Sequence, residues 1–491
     1  MKLRSWSVMA GVMVVAALAL LSMGERNASA APDSVSGAGG LAAYYFDGSY
    51  GTLNLSDGET WVITLTDIDG SGVTGNQAYQ LLVQDHGSGS GWETLPTQVH
   101  HDFYGAGGHL LQSDDTDWTV RSSHGFNPGD VPGTFDLRVV VTQRGDDKWD
   151  VSPYFRLPGG DWTLFYDGSW TTASAFDLTK TRVAVQIDGG GGGTLTFTAP
   201  TAVGVDTSTV YVDDDWAGTA PTTEVEPGKY FGINAFATVQ GGIDNVSGST
   251  VNVAAGTYNE RLTIGKSVDL RGAQYGVDPT PGGARTTPAS ESTVDLTGLS
   301  LQNPNVLVEI SDGVSNVSIA GFTLIGSPSF HYADEAVVRA WDNDIAIEDN
   351  IIDGYVGILY KGPGHNLDIL RNRVTFNKNG VVVQPGATND VDVSDNVMAL
   401  GASPGGDEAA IYMTGVTDAT VTGNTANDVA PNGRGLYGSN YTQLTASGNT
   451  FTGNKDAISI FGSSTFITIS DNDLSNSLRH GINIKGQDID I

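Results

Sequence analysis

Three side chains suited to moving protons recur at a near-constant interval: Arg434, Asp456 and His480, separated by 22 and 24 residues. A carboxylate set between a guanidinium and an imidazole can orient the ring and support it as a general base. Tyr412 and Tyr437, 25 residues apart, follow the same rhythm and would make a flat platform for a sugar ring. Lys361 and Glu408 are further candidate substrate contacts. Asp407-Glu408 is the one close acidic pair near the tyrosines; on a loop it is either solvated or, through Asp407, a holder of calcium. Paired-carboxylate hydrolysis is harder to build, because Glu335 and Asp456 fall five coils apart, about 24 Å, whereas inverting pairs need about 6.5–9.5 Å. The plainer reading of the same column is a surface charge ladder with ordinary cross-strand pairing.

These residues are useful together only if the chain repeats, and it does. Asn350, Asn372, Asn396, Asn424, Asn449 and Asn472 follow one another at 22, 24, 28, 25 and 23 residues. Each sits at a turn after two alternating apolar residues, as in Asp390-Val391-Asp392-Val393-Ser394-Asp395-Asn396. The interval suits one turn of a three-sided β-helix, with extra residues taken up in loops. Strands stacked about 4.8 Å apart would turn the asparagines into a ladder of amides that satisfies buried turn groups. A second strand follows in each coil, and alternation points Ile358, Val381, Ile411, Leu436, Ile458 and Ile482 inward. The position just before that strand holds Glu335, Val356, Asn379, Ala409, Arg434, Asp456 and His480. Its charged members are expected to face water, with Arg434, Asp456 and His480 in adjacent coils.

Upstream the rhythm differs. Residues 31–205 show no fixed repeat but many short apolar runs separated by glycine-rich turns, the pattern of an antiparallel β-sandwich. Asp67-Ile68-Asp69-Gly70-Ser71-Gly72 matches the first half of a calcium loop, but its twelfth position is Ala78 where a glutamate is needed. From 206 the helix-like spacing of Phe236, Val239, Ile243 and Val246 predicts a short helix over 235–246 that plugs the open end of the stack. Residues 1–30 read as a signal peptide: Lys2 and Arg4, an apolar run from Val8 to Leu21, then Ala28-Ser29-Ala30. No later segment is apolar enough to enter a membrane after its removal.

The 491-residue chain has no cysteine and a net charge of −32, which becomes −34 without Lys2, Arg4, Glu25 and Arg26. Disulfides and zinc-thiolate sites are excluded. Nucleic acid is excluded as a partner, since it requires a basic footprint. Nothing in the sequence indicates an oligomeric state.

The repeats, with Tyr211-Val212-Asp213-Asp214-Asp215-Trp216 and Val253-Ala254-Ala255-Gly256-Thr257-Tyr258 at their start, resemble those of pectin-lyase-like β-helix proteins. The segment Gly160-Asp161-Trp162-Thr163-Leu164-Phe165-Tyr166-Asp167-Gly168 resembles concanavalin-like or laminin-G-like jelly rolls. The resemblance implies an all-β chain: an N-terminal antiparallel β-sandwich followed, over 206–491, by a right-handed three-sided parallel β-helix. It implies an exported, secreted or cell-surface, carbohydrate-active protein that binds a polysaccharide, with cleavage as a lyase or glycoside hydrolase left open. The signature motifs of pectate lyases, pectin esterases and polygalacturonases are missing. The alternative is a non-catalytic surface or adhesion protein whose β-helix is a rigid spacer. Asp488-Ile489-Asp490-Ile491 begins a further coil, so the expectation is that the helix is truncated and continues in a longer protein.

Overall fold

The structure, a computed structural model, describes residues 34–36, 41–45, 60–69, 78–85, 98–104, 110–114, 117–122, 134–144, 149–164, 170–171, 181–188, 194–280, 285, 290–330, 334–384, 389–402, 408–427, 429 and 433–491. The signal peptide expected over 1–30 lies outside the described residues, as do Asp407 and Ser71. The chain divides into two compact units, 1–206 and 207–491.

Among the described residues the strand pairs of the first unit are antiparallel. Thr60–Asp69, Thr134–Gln143 and Trp149–Arg156 are neighbours in a seven-stranded sheet, while Leu41–Tyr45, Ala78–Asp85, Gln98–Tyr104 and Thr181–Asp188 form a four-stranded one. Leu65 faces Leu137 and Ile68 faces Phe135, so one extra residue is inserted beside Asp67, whose φ is 55°. The sequence that resembled half a calcium loop is, over Asp67 and Asp69, the bulged end of a strand. Trp162 is buried, with the guanidinium carbons of Arg138 and Arg156 4.1 and 4.5 Å from its ring centre.

The second unit is a right-handed parallel β-helix of 24 strands. Its handedness is the one a right-twisted strand imposes on a parallel crossover. Each coil contributes to three stacked faces, as with Val317–Ala320, Phe322–Ile325 and Val338–Ala340. Alternation sends Ile345, Ile347, Ile358, Leu367, Ile369, Val381, Val391 and Val393 into one continuous core. Ile358, Val381, Ile411, Leu436 and Ile458 line it at consecutive levels, and Ile482 is partly buried against it.

The corner between the first and second faces repeats as well. The residue before each ladder asparagine has positive φ: Asp349, Arg371, Asp395, Gly423, Gly448 and Asp471, between 51° and 65°. This left-handed residue turns the chain, and the asparagine then ties the coils together. Asn372, Asn396, Asn424 and Asn449 are fully buried. Each amide oxygen accepts from the main-chain and side-chain nitrogens of the asparagine in the coil before, from Asn372 on Asn350 to Asn472 on Asn449, at 2.9–3.2 Å. At the head of the ladder, Asn350 accepts from Phe322 N, while Arg285 donates to the carbonyls of Asp349 and Phe322. Arg285 is buried and paired with the buried Glu291, to which Thr323 also donates.

The N-terminal helix is shorter than its apolar spacing suggests. Ala235–Phe236 is a strand paired with Tyr211–Val212, and the helix runs only over Val239–Asn245. Thr238 accepts from Gly241 N at 3.1 Å, and the Glu260 carboxylate takes the first free donors, Val239 N and Gln240 N, at 2.7 and 3.0 Å. These are the orphan amides that any helix start must satisfy. The helix lies across Val210, Val212 and Val251 of the first coils. A Cβ on Gly242 would come within 2.6 Å of Val212, so the close approach requires glycine there.

Candidate functional site

The third face carries the site. Its strands Ile351–Tyr360, Arg373–Val383, Ala409–Thr414, Arg434–Ser439, Asp456–Ser470 and His480–Asp490 stack in parallel. Register aligns Leu359, Val382, Tyr412, Tyr437, Ser459 and Asn483 as one outward row. At about 4.8 Å per coil the row is roughly 24 Å long. Beside it, Val356, Asn379, Ala409, Arg434, Asp456 and His480 form a second row, as the sequence spacing implied. Glu335 is not level with them: continuing the pairing of Val338 with Ile358 backwards puts Ala336 there.

The tyrosines stack. The rings of Tyr412 and Tyr437 lie 5.3 Å apart at 24°, and Phe461 meets Tyr437 edge-on at 5.9 Å. The Arg434 guanidinium sits over Tyr437, 4.4 Å from its ring centre. Burial, then the neighbouring Tyr437, pushes the Tyr412 phenol above its ordinary value, so it stays a neutral donor. Tyr412 and Tyr437 thus stack along the helix axis, and Phe461 of the next coil, level with Ser439, extends this aromatic ribbon obliquely.

Arg434, Asp456 and His480 come together, but Asp456 does not face water. Its side chain is fully covered, shielded by the cations around it. Arg479, which the sequence reading did not single out, donates twice, Nε to Oδ1 at 3.0 Å and Nη2 to Oδ2 at 2.5 Å. Nδ1 of His480 is 2.8 Å from Oδ1, and Arg434 Nε is 4.0 Å from Oδ2. Burial raises the Asp456 pKa, but the hydrogen bonds from Arg479 and His480 and their charges outweigh it and hold the carboxyl below its ordinary value. A carboxylate beside Nδ1 favours the proton there. A proton on Nδ1 would leave Nε2 as the accepting nitrogen of a half-exposed ring, whereas the donor Arg479 Nε, 3.1 Å from Nδ1, favours the opposite tautomer. Lys361 is tied to Asp334 at 2.6 Å and lies 5.4 Å from the Trp341 ring centre.

At the other end of the ribbon a cavity of about 240 Å³ opens, lined among others by Phe330, Glu335, Tyr355, Leu359, Lys378 and Tyr412. Phe330 and Tyr355 face each other at 5.5 Å and 47°. The floor is apolar: Leu359 and Val382 point outward yet are buried, with Ala336 beside them. Glu335 and Glu408 are both buried. Burial, then the charges of Glu335 and Glu408, raises the Tyr355 phenol above its ordinary value, and of the two carboxylates it is Glu335 that lines the cavity. Glu335, Tyr355 and Lys378 come just before Ala336, Val356 and Asn379 respectively, so the signal that the sequence reading passed over was the column one position ahead of the second row.

The fold and this face define a parallel β-helix protein with an aromatic ribbon along one side. Residues 295–488 match the family described as periplasmic copper-binding protein (NosD). That match agrees with an exported or cell-surface setting, and among the described residues no helix is long and apolar enough to cross a membrane. No curated protein matches the chain. Among the described residues no ligand set suited to copper is gathered, since copper favours imidazole, thiolate and thioether donors. The chain has no cysteine, and Met398 and Met413 are buried in the apolar core. His365 and His480 belong to different coils and different partners, Asp344 and Asp456. Among the described residues the one group able to close on a metal is Asp213, Asp214 and Asp215, all oxygen donors outside the matched segment. Asp213 and Asp214 already accept from Asp215 N and Thr257 N.

Proposed function

We propose that this protein binds an extended polysaccharide along the third face of its β-helix. The observation that carries the reading is the stacked pair Tyr412–Tyr437, continued by Phe461, parallel to the helix axis. Tyrosine joins an apolar ring to a polar hydroxyl, which suits the mixed C–H and hydroxyl surface of sugar rings. Lys361 and Glu408 border the ribbon near its cavity end, and Arg434 borders it at the other. The test is titration of the protein with a panel of soluble polysaccharides, with and without calcium, comparing the wild type with Tyr437→Ala. Binding that the variant weakens supports the reading. No binding to any member, or binding indifferent to Tyr437, leaves the β-helix as a rigid spacer of a surface or adhesion protein.

Cleavage is a second reading, favoured by the 2.8 Å contact between Asp456 and His480 Nδ1. His480 Nε2 would take the proton α to the carboxyl group of a uronate ring, and Arg434 would stabilise the negative charge that develops. The bond from the β-carbon to the glycosidic oxygen would break, and the proton would pass from His480 to the departing oxygen. This suits β-elimination better than hydrolysis, since Asp456 is saturated by cations and unsuited to act as an acid. His480→Gln should then lower turnover by about 10²–10⁴-fold while binding persists. Equal turnover in the variant and wild type would remove His480 from the chemistry.

A further inference from the structure

We propose that the cavity at the end of the ribbon is a subsite for a sugar ring bearing an acetyl group, with the acetyl methyl against the cavity floor. The inference rests on the polysaccharide reading and adds a feature of the ligand. Leu359 and Val382 stand in the same row as Tyr412 and Tyr437, which alternation points away from the core. Both are nevertheless buried, with Ala336 beside them and Val356 and Tyr412 packed against them. They form a small apolar cluster of their own, apart from the core inside the coils. Phe330 and Tyr355 wall the cavity, and Phe330 keeps 61% of its surface exposed. An apolar floor beside an exposed aromatic ring is a surface for an apolar group of a ligand.

Size and hydrogen bonding narrow what can sit there. At about 240 Å³ the cavity lies below the roughly 300–1,000 Å³ of drug-sized pockets and suits one substituted ring, not a longer segment. Tyr412 belongs to both the ribbon and the cavity wall, so a glycan on the ribbon reaches the floor within one coil, about 4.8 Å. Asn379 also lines the cavity, and its Oδ1 accepts from Ala409 N at 3.1 Å. That bond fixes the amide and leaves Nδ2 as the donor for a ligand carbonyl. An acetyl group matches both features, with a methyl for Leu359 and Val382 and a carbonyl oxygen for Asn379. A bare hydroxyl could take the Asn379 bond but would leave the floor uncovered. Nitrogen- and oxygen-linked acetyl groups present the same methyl and carbonyl. At the far end the same row holds Ser459 and Asn483, which offer no such floor. The subsite therefore fixes the direction in which the glycan lies on the ribbon.

The experiment uses the full chain and two matched pairs of β-linked tetramers, with affinity measured by calorimetry. One pair is N-acetylglucosamine against glucose, the other O-acetylated against bare xylose. In at least one pair the acetylated tetramer should bind about tenfold or more tighter, the scale of one apolar group in a fitted pocket. The pair that shows the preference tells whether nitrogen or oxygen carries the acetyl. Asn379→Asp keeps the acceptor for Ala409 N but removes the donor, and should erase most of the preference. Val382→Thr puts a hydroxyl on the floor and Phe330→Ala trims an exposed ring. Each should reduce the preference, and they serve if Asn379→Asp fails to fold. Tyr437→Ala should weaken both members of a pair alike. Equal affinity within both pairs, or a preference that survives all three cavity variants, overturns the inference and leaves the ribbon reading standing. Absence of binding to every tetramer overturns both.

Discussion

The Asn396 side-chain oxygen accepts two hydrogen bonds from one residue, Asn372, whose main-chain nitrogen lies at 2.9 Å and side-chain nitrogen at 3.1 Å. Its own amide nitrogen meanwhile reaches Ile369 O at 2.7 Å and Asn424 Oδ1 at 3.0 Å. Replacing Asn396 by leucine keeps the volume but orphans buried groups on both sides. We predict a loss of roughly 1–3 kcal/mol, read from the urea midpoint. An unchanged midpoint would mean that the ladder contributes nothing to stability.

Arg285 closes the head of that ladder. Arg285→Met should cost about 3–5 kcal/mol, because it leaves Glu291 buried without its partner. The double variant Arg285→Met, Glu291→Met should recover part of the loss. Chemical denaturation of the three proteins checks this, and a double variant no better than the single one would contradict it.

Acid should unlock the Asp456 cluster. Its folded carboxyl titrates below the ordinary value near 4, so its contribution to stability is complete above that value. That contribution is lost as pH falls through the lowered folded value. The difference in unfolding free energy between wild type and Asp456→Asn should therefore be flat from neutrality to about pH 5 and shrink below pH 4. A difference that grows on acidification would reverse the assignment.

Tyr437→Ala removes the middle ring of the ribbon. We expect ligand affinity to fall roughly five- to twentyfold, the scale of one well-stacked aromatic contact. The melting temperature should move little, since Tyr437 is only partly buried on the outer face. Calorimetric titration alongside a thermal scan separates the two effects.

The coil repeat was legible because its causes are local. The apolar pairs before Asn350 or Asn396, and the interval between asparagines, reflect a periodic backbone that places like residues at like positions. The same regularity made the rows through Tyr412, Tyr437, Arg434, Asp456 and His480 readable. What escaped was aperiodic. Arg479 sits one residue before the row, yet its long side chain reaches back to Asp456 and covers it. Arg285 comes from a loop outside the repeat. The Glu335 offset arose because the coil before Val338 has its own loop length, which alternation cannot count across. The Ala235–Phe236 pair has helical spacing but lies before the Thr238 cap, where backbone pairing with Tyr211 and Val212 prevails over the pattern.

The ladder's junctions are interchangeable. From Asn350 to Asn449, each asparagine donates to the next asparagine's oxygen through both nitrogens and reaches a strand carbonyl of the coil before. A tandem duplication of residues 397–424, which runs from just after one ladder residue through the next, would meet the same donors and acceptors above and below. Gain or loss of whole modules is therefore close to neutral for folding. It would lengthen or shorten the outer ribbon by about 4.8 Å each time, so the reach of the molecule can drift in discrete steps without redesign of its interior.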